Sequence, residues 1–218
     1  MAQDEIVLIS DPRVLQIQIQ ENNDPLIDMR TIPELIIDTR KSNSSNSYFK
    51  LRQSVLMKLV EASSSLPDGI RFLIVEGYRP LSLQTEYFKK HSEKLRNLYP
   101  DWTSDQIYQE ASKYVAPPET IPPHSTGGAV DLTLVDSLGE ELDLGTTMNV
   151  DPEESECACF TSAQNISETT KINRQILVGV MLKAGFVNYP TEWWHWSYGD
   201  RYWAYNSNQP TAVFGPVG

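Results

Sequence analysis

The stretch 121–134, IPPHSTGGAVDLTL, constrains the fold more than any other part of the chain. Two prolines lead into His124, two glycines follow, and Asp131 then enters an apolar run with the character of a strand. A carboxylate among Ala129, Val130 and Leu132 is costly to bury without a cationic partner. His124 and Asp131 are seven residues apart, a spacing that one helix would hold about 10 Å apart, so a turn must lie between them. Gly127 and Gly128 supply the turn, through positive φ and close backbone approach to a metal.

A second stretch completes the pattern. Residues 191–198, TEWWHWSY, carry Glu192 and His195, so these two places hold two of the chain's three histidines. Together they offer His124, Asp131 and His195 as ligands, with Glu192 to spare. Three fixed ligands and a free carboxylate are what a catalytic zinc site requires. Residues three apart on a strand point to opposite faces, so a bulge must bring Glu192 and His195 together, and Pro190 favours irregular geometry there. Trp193, Trp194 and Trp196 would dry the site and raise the Glu192 carboxyl toward the range of a base. The competing reading is an aromatic core with one satisfied histidine and an exposed glutamate. The third histidine, His91, lies among Lys89, Lys90, Glu93 and Lys94 and reads as a surface residue.

Composition narrows the class. A length of 218 residues suits one well-packed domain, and a formal charge of −11 argues against a nucleic-acid surface, which needs clustered Lys and Arg. No run of about eighteen apolar residues is present, so no membrane span is expected. The start, MAQDEIVLIS, lacks a basic segment followed by an apolar core, which reads as no signal peptide and a cytoplasmic protein. Cys157 and Cys159, one residue apart in a polar loop, are too close for an unstrained disulfide and read as free thiols.

Along the chain, residues 1–48 read as an irregular part of the same domain, with 14–20, VLQIQIQ, alternating like a strand and 40–47 a polar loop. A helix is expected over 48–65 and a buried strand over 71–76, whose exit turn aims Arg79 at a cleft. Helices follow from Ser82 or Thr85 to about Leu98, and from a Thr103 cap to Val115. The proline-rich 116–123 should be extended and present His124 on a rigid arm. Residues 136–166 form a loop long enough for a lid or a disordered segment. A last helix, capped by Ser167, sets Ile172, Ile176, Leu177, Val180 and Met181 on one face, and two strands close the chain over 186–189 and 192–198. With no repeat and no dividing linker, the whole chain 1–218 reads as one α+β domain.

These residues carry a family resemblance. HSTGGAVDLTL resembles the HSxGxAxDLTL signature of VanX-type D-alanyl-D-alanine dipeptidases, EWWHW their ExxH segment, and EGYRP at 76–80 their DGYRP segment, in the same order. The resemblance implies a compact α+β zinc peptidase fold, a small, mainly antiparallel sheet with flanking helices, shared with D,D-carboxypeptidases and the Hedgehog signalling domain. It implies one zinc ion on His124, Asp131 and His195, with Glu192 as the base. Arg79 would stabilise the oxyanion, a role worth roughly 3–4 kcal/mol of barrier. The expected substrate is D-Ala-D-Ala or a related short D-peptide, with Asn149 and Trp193 among its contacts. Alternatives are a D,D- or L,D-carboxypeptidase on longer wall peptides, or a non-catalytic zinc-binding domain. Two departures bear on the substrate. Pro122 replaces a serine two residues before the first histidine, and Asn149 replaces an aspartate that meets the dipeptide's amino group. Asp151, Glu153 or Glu154 would then supply the missing charge.

Overall fold

The computed structural model describes residues 6–40 and 45–217. Five strands form its central sheet: β1 (Ile36–Ile37), β2 (Arg71–Glu76), β3 (Ala129–Val135), β4 (Val187–Tyr189) and β5 (Glu192–Ser197), in the order β1-β2-β3-β5-β4. β1 runs parallel to β2 and the other pairs are antiparallel, giving the mainly antiparallel sheet of the expected α+β fold.

β3 is buried along its whole length because it is central and covered on both faces. Its alternation divides the labour of those faces. Val130, Leu132 and Leu134 join Phe72 and Ile74 in the hydrophobic core. Helix α1 (Gln53–Ser63) adds Val55, Leu56 and Leu59 to that core, and helix α4 (Glu168–Lys183) adds Leu177, Val180 and Met181. Each such side chain stabilises the fold by about 1.5–3 kcal/mol. The opposite face carries Asp131. Between them, helices α2 (Leu81–Leu98) and α3 (Ser104–Tyr114) pack on each other through Leu95, Ile107 and Ala111 and wall off that second face. The Thr103–Gln106 capping box starts α3 where the sequence places it.

Several local expectations are corrected. Val14 and Leu15 lie in a short helix, Pro12–Leu15, because Asp11 caps it and Pro12 occupies its first turn; only Gln18–Ile19 is strand. Residues 48–52 precede α1 as a 3₁₀ turn and a short strand, so that helix starts at Gln53. α2 opens at Leu81 after Pro80, with no side-chain cap from Ser82 or Thr85. Ile172 is exposed at 57%, since it faces outward in the first turns of α4. Residues 41–44 of the expected polar loop lie outside the described residues.

The long segment 136–166 is a series of turns held on the body of the fold by Arg174 and by side-chain contacts at Asp143, Thr146 and Thr161. Arg174 of α4, buried, donates to the carbonyls of Leu144, Ala158 and Phe160 at 2.5–2.9 Å. Among the described residues no helix is long and apolar enough to cross a membrane.

Candidate metal centre and substrate cleft

Strand register builds the site. Asp131 and His195 are directly opposed on β3 and β5, so both side chains leave the same face. His124 arrives from a short helix, Pro123–Thr126, rather than from an extended arm; Gly127 ends that helix at φ +72°. A Cβ on Gly128 would meet the Tyr198 carbonyl oxygen at 2.5 Å, so its close approach is to backbone and not to the metal position.

The three ligand atoms form a near-equilateral triangle. His124 Nε2 lies 3.2 Å from His195 Nδ1 and 3.3 Å from Asp131 Oδ1, and the last two are 3.1 Å apart. Tetrahedral zinc with bonds of roughly 2.0–2.1 Å sets its ligands about 3.3 Å from one another. The proton positions agree. His124 Nδ1 is 2.7 Å from the Gly77 carbonyl, to which it donates, leaving the Nε2 lone pair inward. The Nε2 of His195 lies toward the Ser197 hydroxyl at 3.5 Å, leaving its Nδ1 inward. Two imidazole lone pairs and a carboxylate aimed at one point repel unless a cation joins them. Without the metal, a proton carried by the histidines takes the cation's place: burial alone would raise the Asp131 carboxyl, but that charge beside it holds it well below the usual carboxylate range. These residues fit zinc.

Glu192 reaches the same face through the bulge its spacing demands. Tyr189 pairs with Glu192 and Asn188 with Trp196, so one step on β4 spans four on β5. The Asn188 amide holds the bulge by donating to the Glu192 and His195 carbonyls. Although Glu192 keeps a partly open edge on the cleft, burial pushes its carboxyl up to about 7; Asp131 adds to the rise, while His195 and Arg79 oppose it.

Arg79 is held on three sides. Its Nε donates to Glu76 at 2.5 Å, its Nη1 to Gln84 at 2.8 Å, and its guanidinium lies 5.1 Å from the centre of the Tyr87 ring. Burial would lower its pKa, but the Glu76 carboxylate more than offsets this and keeps it a cation. Glu76 faces the site because of a second bulge. Ile74 pairs with Leu132 but Glu76 with Asp131, and the register shift moves Glu76 off the core face. The sequence reading missed Glu76, Gln84, Tyr87 and Asn188 as supports. Glu76 gave a signal, a carboxylate closing an apolar strand; the others gave none.

The triad and Glu192 open into a cleft of about 750 Å³. Arg79, Asn149, Asp151 and Pro122 line it as well, as does His91, which the sequence placed on the surface. Trp193 is turned away, with its indole nitrogen 2.9 Å from Thr146 Oγ1; Trp194 lines the cleft instead. Glu153 and Glu154 line an adjoining cavity of about 260 Å³.

Three converging groups that could hold a metal, beside a free carboxylate and a held guanidinium, are the outline of a metal-dependent hydrolase. The chain belongs to the M15 peptidase family, whose D-Ala-D-Ala dipeptidase profile matches residues 41–213. It is 29% identical to a D-alanyl-D-alanine dipeptidase of Synechocystis, over 89% of this chain and 90% of the relative. It is 30% identical to one of Enterococcus faecium, over 73% and 76% of the two chains. A solved LD-carboxypeptidase, LdcB, superimposes with a TM-score of 0.45 at 17% identity, covering 96% of this chain and 89% of that one. The chain is a zinc metallopeptidase.

Proposed function

We propose that the chain hydrolyses D-alanyl-D-alanine, with Glu192 as general base, Arg79 as oxyanion partner, and His124, Asp131 and His195 as zinc ligands. The observation that carries this reading is the convergence of three ligand atoms within 3.1–3.3 Å of one another beside a carboxyl raised to about 7. Zinc supplies Lewis acidity and makes water a nucleophile near neutral pH. Glu192 takes the proton from the attacking water and delivers it to the leaving amine nitrogen as the peptide C–N bond breaks, returning to carboxylate. Its metal-free value near 7 falls once zinc is bound, which leaves a carboxylate to take the first proton. Arg79, kept cationic by Glu76, donates to the oxygen that gains charge as the carbonyl becomes tetrahedral.

Asn149 and Asp151 stand in the cleft for the substrate's polar ends, and Trp194 takes the place first given to Trp193. Leu8 and Ile9 reach the same cleft, which supports counting the N-terminal part within one peptidase unit. Cys157 and Cys159 are both free thiols, in keeping with a reducing compartment such as the cytoplasm, where the enzyme would lower the dipeptide pool.

The test is D-alanine release from D-Ala-D-Ala by zinc-loaded protein beside Glu192→Ala. Release that disappears in the variant while zinc stays bound supports the dipeptidase and the base together. No release from wild type with zinc bound would overturn the reading.

A further inference from the structure

We infer that Ser197 and Asp200 are positioning residues for the metal centre: the Asp200 carboxylate directs the Ser197 hydroxyl so that His195 offers Nδ1, and not a proton, to the metal. This rests on the zinc ligands proposed above and names what fixes one of them.

The first observation is a choice that the His195 ring must make. An imidazole that binds a metal through one nitrogen carries its proton on the other. Nδ1 is the nitrogen that meets His124 Nε2 and Asp131 Oδ1, at 3.2 and 3.1 Å. The proton therefore belongs on Nε2, and the group that faces Nε2 is the Ser197 hydroxyl at 3.5 Å. His195 and Ser197 are both on β5 and alternate residues of a strand share a face. A hydroxyl can accept or donate. Were Ser197 to donate to Nε2, the ring proton would move to Nδ1, where the metal binds. Serine alone does not decide.

The second observation is what stands behind the hydroxyl. Asp200 is 1% exposed, and the Ser197 hydroxyl lies close enough to lower the pKa of its carboxyl. A carboxylate only accepts, so it draws the hydroxyl proton to itself and leaves a serine lone pair for the Nε2 proton. Burial raises the Asp200 carboxyl, while the Trp203 amide, Ser197, His195 and the Tyr202 amide oppose the rise.

The third is that the fold does not account for a charge here. Asp200 caps the helix Arg201–Asn206 through Oδ1, which accepts from the Trp203 amide at 2.9 Å. Asparagine or serine would cap as well, without the cost of burying a carboxylate. Its Oδ2 is covered and has no partner at full hydrogen-bond distance among the described residues. That oxygen is the one left to take the Ser197 proton. Groups of this kind behind a ligating histidine orient the ring and raise its basicity.

The experiment measures zinc affinity by competition with a chelator, beside urea unfolding of metal-free protein, for wild type, Ser197→Ala, Asp200→Asn and the double variant. Asparagine keeps the cap, but its amide donates to Ser197 and turns the hydroxyl proton onto Nε2. An amide in place of a carboxylate behind a histidine can thus set the wrong tautomer with the geometry intact. Each single variant should weaken zinc binding about 10–100-fold, and Asp200→Asn should unfold at no lower urea than wild type. The double variant should match Ser197→Ala, because asparagine reaches His195 only through the hydroxyl. Zinc-loaded wild type gives a reading that needs no variant: the His195 Nε2 proton should resonate downfield of a free imidazole N–H, the mark of a hydrogen bond. A proton at the free position overturns the inference. So do zinc affinities unchanged in both single variants, losses that simply add in the double variant, or an affinity that falls only in step with folding stability. Wild type that binds no zinc overturns the metal reading as well.

Discussion

Asn188 Nδ2 lies 3.0 Å from the carbonyl oxygen of His195 and, by the same amide, 3.1 Å from that of Glu192. One side chain thus holds open the bulge that turns Glu192 and His195, the proposed base and a proposed metal ligand, to the same face. Its Oδ1 accepts from Thr161 at 2.5 Å, which fixes the amide's orientation. Replacing it by Leu removes both donors and leaves two strand carbonyls unanswered, at about 1–3 kcal/mol each where they stay buried. Asn188→Leu should lower zinc affinity at least tenfold, read by competition with a chelator, and kcat by more, because Glu192 and His195 then drift independently. Unchanged zinc affinity would mean that the bulge is held by packing alone.

How far the sequence disclosed this site depends on whether the signal was local. His124, Asp131, Glu192 and His195 were legible because each is chemically conspicuous where it stands: a carboxylate in an apolar strand, histidines in a chain that has three. The need for a bulge followed from the spacing of Glu192 and His195, but Asn188 as its support did not, since that contact is made across the sheet. The alternation at 14–20 misled for the same reason. Asp11 and Pro12 locally start a helix, and Gln18–Ile19 is strand only because Thr211–Ala212 pairs with it from the far end of the chain. His91 read as surface because its neighbours along the chain are charged, whereas its own face of α2 is covered by Tyr114 of α3. Helix packing decides that, and helix packing is non-local.

Arg79 and Glu76 form a pair whose two roles can be separated. Glu76 is fully buried, so Arg79→Ala removes the proposed oxyanion partner and also takes the cation away from an interior carboxylate. Activity should fall about 10²–10³-fold, and stability by about 3–5 kcal/mol as for other broken buried pairs. Adding Glu76→Gln should recover much of the stability, by urea unfolding, and none of the activity. Recovery of activity in the double variant would show that Arg79 serves the fold rather than the reaction.

Arg174 should prove an anchor of segment 136–166. Burial lowers its pKa to about 10, still well above neutrality, so a full charge is answered by backbone carbonyls. Arg174→Met keeps the bulk and removes the side-chain donors to the Leu144 and Ala158 carbonyls, while Phe160 keeps only the Ala163 amide. The expected loss is about 3 kcal/mol, with a raised KM as Asn149 and Asp151 lose their placement. Thiol labelling gives an independent reading: Cys157 is exposed and Cys159 buried in wild type, so the variant should label two thiols rapidly where wild type labels one.

Glu192 links function to pH through stability. Its folded pKa, raised from 4.5 to about 7, means the metal-free folded protein holds this proton more tightly than the unfolded chain. The stability tied to that proton is therefore complete below about pH 4.5 and lost as pH rises through 7. At about 1.4 kcal/mol per unit, ionising Glu192 costs metal-free protein roughly 3 kcal/mol at pH 8 and less than about 1 kcal/mol at pH 5. Glu192→Gln, stripped of metal, should then unfold at higher urea than wild type at pH 8 and at nearly the same urea at pH 5. Zinc should erase the difference, because a cation beside the carboxylate favours its charged form. The same variant should lose about 10²–10⁴ in kcat. A variant that is less stable than wild type at pH 8 would mean that the carboxylate is paired in the folded state, and its value as a base would have to be found elsewhere.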